Sequence, residues 1–161
     1  MIETPSVDWF ALSPSLVALA AAAICLLSAV LVPRWLLRPF AAFICAVGFI
    51  GAFVMAAIVF GKSPDAQLIV AETASRDRFA ALAQMIVMAS GLLTIGVSYS
   101  ARMRQEHIGE YYALLATACA GMAFLVQAGS LMTLFLGLEW FSVCLYILCA
   151  IEIDLESSLE A

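Results

Sequence analysis

Long apolar runs separated by short polar stretches set the pattern of this chain. Phe10 to Val32, Pro39 to Gly61 and Phe79 to Ser98 contain no charged residue. A helix rises about 1.5 Å per residue, so runs of about 20 residues cover the roughly 30 Å hydrocarbon core of a bilayer. From Tyr111 to Ile151 the only charge is Glu139. As one helix that stretch would extend about 62 Å, twice a single crossing, so it must fold back on itself. Its only polar, flexible cluster is Gln127-Ala128-Gly129-Ser130, which places a tight reversal there. The pattern predicts an all-α, polytopic membrane helix bundle. Its five transmembrane helices fall at about 10–32, 39–61, 79–98, 111–127 and 130–151, in a single membrane domain spanning 1–161.

The connecting segments carry nearly all the charge. Pro33, Arg34, Trp35 and Arg38 form a short basic turn, with the indole at the level where aromatic rings favour the membrane interface. Lys62 to Arg78 holds Lys62, Asp65, Glu72, Arg76, Asp77 and Arg78 around Pro64, an interfacial loop with room for one short helical turn. Ala101 to Gly109 is a second polar loop, with Arg102, Arg104, Glu106 and His107. Glu110 then heads the next helix, where exposed N–H groups and the helix dipole favour a carboxylate. Small residues at Ala18 to Ala23, and at Ala113, Thr117 and Gly121, give the first and fourth spans thin faces for close helix packing. Five crossings put the two ends on opposite sides. With the N-terminus outside, the inner loops hold Arg34, Arg38, Arg102 and Arg104. The outer loop holds Lys62, Arg76 and Arg78, matched by Asp65, Glu72 and Asp77, so the balance favours N-out, C-in.

Composition agrees. Of 161 residues 65% are hydrophobic and 12% charged, with a mean hydropathy of +1.08, far from the quarter or so of charged residues usual in soluble domains. The formal charge of -5 therefore says little about soluble partners. Only Glu3 and Asp8 precede the first run, so it lacks the basic flank of a cleavable signal peptide and is expected to remain in the mature protein. Cys25, Cys45, Cys119, Cys144 and Cys149 all fall inside predicted spans, where thiols act as small polarisable hydrophobes. Their spacing and the absence of His from every span speak against a disulfide, a metal site or an iron-sulfur centre. Gly61-Lys62-Ser63 echoes the end of a phosphate loop, but Ala56 occupies the position of the first required glycine. His107 beside Glu106 reads as a solvated loop histidine, and Gln127 as an interfacial residue.

Glu139 is the residue to explain. It lies near the middle of an otherwise uncharged run, and a carboxyl at bilayer depth costs about 3 kcal/mol even on lenient insertion scales. Such groups face a bundle interior, a watery cavity or an ion path. On a helix advancing 100° per residue, Met132, Glu139, Ser142 and Tyr146 form one stripe flanked by Phe135 and Val143. Ser142 and Tyr146 are thus candidate supporting hydroxyls; alternatively, both satisfy backbone carbonyls or reach an interface. Desolvation favours the neutral form of a carboxyl and a cation the charged form, so a site held between the two can relay protons. No Lys, Arg or His lies in any predicted span, so the counter-ion must come from elsewhere. The plainer reading is a protonated Glu that hydrogen-bonds a neighbouring helix and only bridges the two.

From Ser75 onward the chain resembles the antiporter-like membrane subunits of bacterial NADH-quinone oxidoreductase, respiratory complex I, and subunit N in particular. Gly109-Glu110-Tyr111-Tyr112, Leu134 to Glu139, Leu145-Tyr146-Ile147-Leu148 and Glu156 to Ala161 carry the resemblance. The first sixty residues match only in placing two spans. The resemblance implies a fourteen-helix bundle with two inverted five-helix repeats, the first opened by span four. It also implies that Glu139 partners a lysine on a broken seventh helix. Ala161 falls about where the family begins its sixth helix, so the expectation is an N-terminal fragment of a larger subunit, not competent to pump alone. Cys144 stands where the family often has proline.

Under this reading the chain serves a proton-translocating NADH:quinone oxidoreductase, a translocase, in the inner (cytoplasmic) cell membrane. It carries no cofactor itself; NAD, flavin, iron-sulfur clusters and quinone belong to the parent complex. Its partners are the lipid bilayer, other complex I membrane subunits, and the remainder of the subunit or a second chain carrying the lysine, with no nucleic acid. The alternatives are part of a cation/proton antiporter and a structural or assembly protein. No residue cluster marks a quinone pocket.

Overall fold

Five helices and one short hairpin make up the described residues. The computed structural model describes residues 8–63, 67–69, 73–100 and 107–151. In order these are α1 (Trp9–Leu31), α2 (Arg34–Lys62), β1 (Gln67–Ile69), β2 (Ala74–Arg76), α3 (Arg78–Tyr99), α4 (Ile108–Leu125) and α5 (Leu131–Cys149). All five helices are long and apolar enough to cross a membrane, and the chain is a multi-pass membrane protein. Asp65, Glu72, Arg102, Arg104, Glu106 and the acidic stretch 152–161, with its matched Glu156 to Ala161, lie outside the described residues.

Local chemistry sets the helix starts. The Asp8 carboxylate accepts from the Phe10 and Ala11 amides at 3.1 and 3.3 Å, satisfying donors that an uncapped first turn would strand. Asp77 caps α3 through the Ala80 amide, and the Ser130 hydroxyl caps α5 through the Thr133 amide at 3.2 Å. The basic turn proves shorter than the sequence suggests. Helix α2 begins at Arg34 instead of Pro39, because Trp35, Leu36, Leu37 and Arg38 are acceptable helix formers and Pro39, near the helix start, forfeits only one backbone bond.

The polar segment between α2 and α3 is also not a plain loop. β1 and β2 pair antiparallel, Gln67 with Arg76 and Ile69 with Ala74. The α4–α5 turn then joins them: the Ser75 amide donates to the Gln127 carbonyl at 2.7 Å and the Gly129 amide to the Thr73 carbonyl at 2.8 Å. The start of α1, the end of α2, the hairpin and the α4–α5 reversal therefore meet at one end of the bundle. Arg76 ties them together. Its guanidinium donates to Asp8 at 3.1 Å, to the Ser63 hydroxyl at 2.8 Å and to the Lys62 carbonyl at 3.2 Å, and lies 5.3 Å from the Phe10 ring centre. Arg76→Ala should loosen this end by about 1–2 kcal/mol, a figure reduced because the pair is partly exposed. Hydrogen exchange at the Ser75 and Gly129 amides should accelerate about tenfold, with core amides of α2 unchanged.

The core lies among α1, α2, α3 and α4, where Phe49, Met88 and Ile108 are almost fully buried. Cys25, Cys45 and Cys119 pack within it, and the Cys25 thiol donates to the Ala41 carbonyl at 3.5 Å. Helix α5 sits apart from this core and packs chiefly on α4.

Candidate functional site

Helix α5 is seated through Thr133, Gly137 and Cys144, its buried residues. Two glycines allow the close approach. A Cβ on Gly137 would lie 2.9 Å from the Leu125 Cα, and one on Gly121 would lie 3.1 Å from the Phe141 nitrogen and from the Trp140 ring. Trp140 also packs against Phe124, ring centres 5.9 Å apart. This seating decides where the acid points. At 100° per residue, Glu139 lies about 140–160° around the helix from Cys144 and Gly137, nearly opposite the contact face.

Glu139 is the ninth residue of α5, about 12 Å along the axis from Leu131 and about 15 Å from Cys149. It therefore stands near the middle of its helix. Burial does not hold within this chain: Glu139 is exposed, and the stripe around it is open, with Met132 74% and Tyr146 72% accessible. Phe135 and Val143 are exposed beside it, and Ser142 is half-buried. No hydrogen bond joins the Glu139 carboxyl to Ser142, Tyr146 or any other described residue. The physical reason is that α5 packs chiefly on α4, and the glycine-lined face that meets α4 is the face away from the acid.

Two glutamines, Gln84 and Gln127, are buried together. Gln84, within α3, donates to the Ala123 carbonyl at 3.0 Å and to the Gln127 side-chain oxygen at 3.2 Å. Gln127 is 1% accessible, not interfacial, because the hairpin closes over it through Ser75. Gln84, the one amide side chain in the third span, was the available signal. At the opposite end His107 Nδ1 lies 3.4 Å from the Glu110 carboxylate at the head of α4, a solvated pair. Among the described residues no three His, Cys, Asp or Glu side chains converge as a metal site would require.

Comparison with known proteins decides what this bundle is related to. No protein-family model matches the chain. Curated relatives do. NADH-quinone oxidoreductase subunit N 1 of Herpetosiphon aurantiacus is 37% identical over 86 residues, 53% of this chain and 18% of the relative. The chain is a relative of NADH-quinone oxidoreductase subunit N. The subunit N of Salinibacter ruber is 37% identical over 92 residues, 56% of this chain and 18% of that protein. That of Anoxybacillus flavithermus is 30% identical over 149 residues, 91% of this chain and 29% of that protein. A match of that extent reaches well into the first sixty residues, where the sequence reading found agreement only in the placing of two spans. The chain spans less than a third of the length of each of these subunit N relatives.

Proposed function

We propose that this chain is the N-terminal portion of a complex I subunit N, a membrane-arm component of a proton-translocating NADH:quinone oxidoreductase in the inner (cytoplasmic) membrane, oriented N-out, C-in. Glu139 is its protonatable site. The observation that carries the reading is a carboxyl at mid-span on a helix face that no described residue covers, in a chain related to subunit N. An ionisable group at that depth requires a protein partner or a water-filled path, because facing lipid would be costly. The open stripe of α5 is therefore where the remainder of the subunit, or a second chain, brings a lysine. Ser142 and Tyr146, half-buried and exposed on the same stripe, support the proton path once it is covered. The chain contributes no redox chemistry of its own. NAD, flavin, iron-sulfur clusters and quinone belong to other subunits, and five helices alone do not complete a pump.

Affinity purification of the tagged chain from its native membrane tests the assignment. Recovery of flavin- and iron-sulfur-containing subunits alongside it is the expected result. Recovery of other antiporter subunits without any redox subunit would assign it instead to a cation/proton antiporter, and recovery of neither would remove the proposal.

A further inference from the structure

A second feature lies away from the Glu139 stripe. Helices α1, α4 and α5 leave an open groove of about 510 Å³, lined by Leu19, Ala23 and Leu26 of α1, Ala113 and Thr117 of α4, and Ile147 of α5. Its walls are almost entirely apolar. Thr117 adds no free donor, since its hydroxyl donates to the Ala113 carbonyl at 2.7 Å. Among the described residues one charge borders the groove: Glu110, in the first turn of α4, is 54% exposed and has His107 as its neighbour. From Glu110 to Thr117 the groove runs about 10 Å along the helix axis, from the headgroup level into the hydrocarbon layer.

We propose that this groove binds a phospholipid whose headgroup carries a primary ammonium. The acyl chain lies against Leu19, Leu26 and Ile147, and the ammonium donates to the Glu110 carboxylate. The order of the chemistry along the membrane normal selects this occupant. An apolar trough below a carboxylate at the interface matches an acyl chain below a cation, and a primary ammonium offers N–H donors that a quaternary one lacks. A transmembrane helix would fill the trough but leave Glu110 facing apolar side chains unless it happened to carry a cation at that level. An anionic headgroup would meet a like charge.

The test uses the full chain reconstituted in phosphatidylcholine vesicles doped with phosphatidylethanolamine that bears a diazirine on its acyl chain. A parallel sample carries the same diazirine on phosphatidylcholine. Photolabelling of residues 19–26 and 113–117 by the ethanolamine lipid should exceed labelling of the exposed 93–97 face of α3 by about fivefold, the scale of one exposed ion pair. Glu110→Gln, which preserves shape, should abolish the preference over the choline lipid. Ala23→Trp, at an exposed groove position, should block labelling of the groove by both. Circular dichroism and gel filtration of each variant confirm that the bundle is intact. Groove labelling no greater than that of α3, or a groove indifferent to headgroup or to Glu110→Gln, would overturn the proposal.

Discussion

Glu139→Gln in the full-length subunit is expected to cut proton translocation coupled to quinone reduction about tenfold or more while leaving the complex assembled. Gln has nearly the same shape as Glu and can still donate and accept hydrogen bonds, so any purely bridging role survives the change. What it cannot do is ionise. The position makes the distinction meaningful: mid-helix, about 12 Å from the nearer end of α5, a carboxyl costs about 3 kcal/mol on insertion scales, and a permanently neutral amide would serve a bridge at lower cost. A tenfold loss corresponds to about 1.4 kcal/mol of coupling, a modest demand on a site that must change charge in each cycle. The measurement is proton uptake or release per electron pair in reconstituted complex, with the amount of assembled complex determined on the same preparation. Undiminished pumping by the Gln variant would reduce Glu139 to a helix bridge. Failure to assemble would point the same way, since it would make the acid structural.

The parts of this molecule that could be read from the sequence are those governed by local pattern. Five spans are legible because twenty or so consecutive apolar residues have few alternatives, and Gln127 to Ser130 marks the reversal because nothing else between Tyr111 and Ile151 can turn. Caps at Asp8, Asp77 and Ser130 explain why observed starts fall within a few residues of expectation. Long-range contacts were not legible. Ser75 of β2 and Thr73 just before it find hydrogen-bond partners in Gln127 and Gly129, about fifty residues away, and Gln84 finds its amide partner at a similar separation. No periodicity reports such pairings. Glu139 shows both sides: its depth follows from counting residues, whereas its direction depends on which face of α5 carries the glycines that α4 can approach. The expectation of burial follows from the cost of a carboxyl at bilayer depth, which says nothing of direction, and the packing role of Gly137 that turns the acid away from α4 leaves no periodic signal.

Gly137→Leu should unseat α5, the second large effect. A Cβ there would stand 2.9 Å from the Leu125 Cα, 3.0 Å from its Cβ and 3.1 Å from its nitrogen, and backbone atoms cannot swing aside as the end of a flexible side chain can. Overpacking typically costs about 1–3 kcal/mol, and this site belongs at the upper end, because three further side-chain carbons must follow the Cβ into the same space. In a membrane, lipid tails are as apolar as leucine, so close packing rather than water exclusion holds one helix to another. Helix α5 has little besides α4 to hold it. The experiment places spin labels at Tyr146 on α5 and Val97 on α3, both exposed, and measures the distance between them. Gly137→Leu should shift and broaden that distribution by several ångström, about the size of the added side chain. Gly96→Leu is the control, since a Cβ at Gly96 meets nothing within 4 Å, and it should leave the distribution in place. Because α5 carries Glu139 on its far face, the same displacement should lower coupled proton transfer in the assembled subunit. An unchanged distance in the Gly137→Leu variant would show that α5 is held by contacts other than its glycine seat on α4, and the argument for the direction of Glu139 would fail with it.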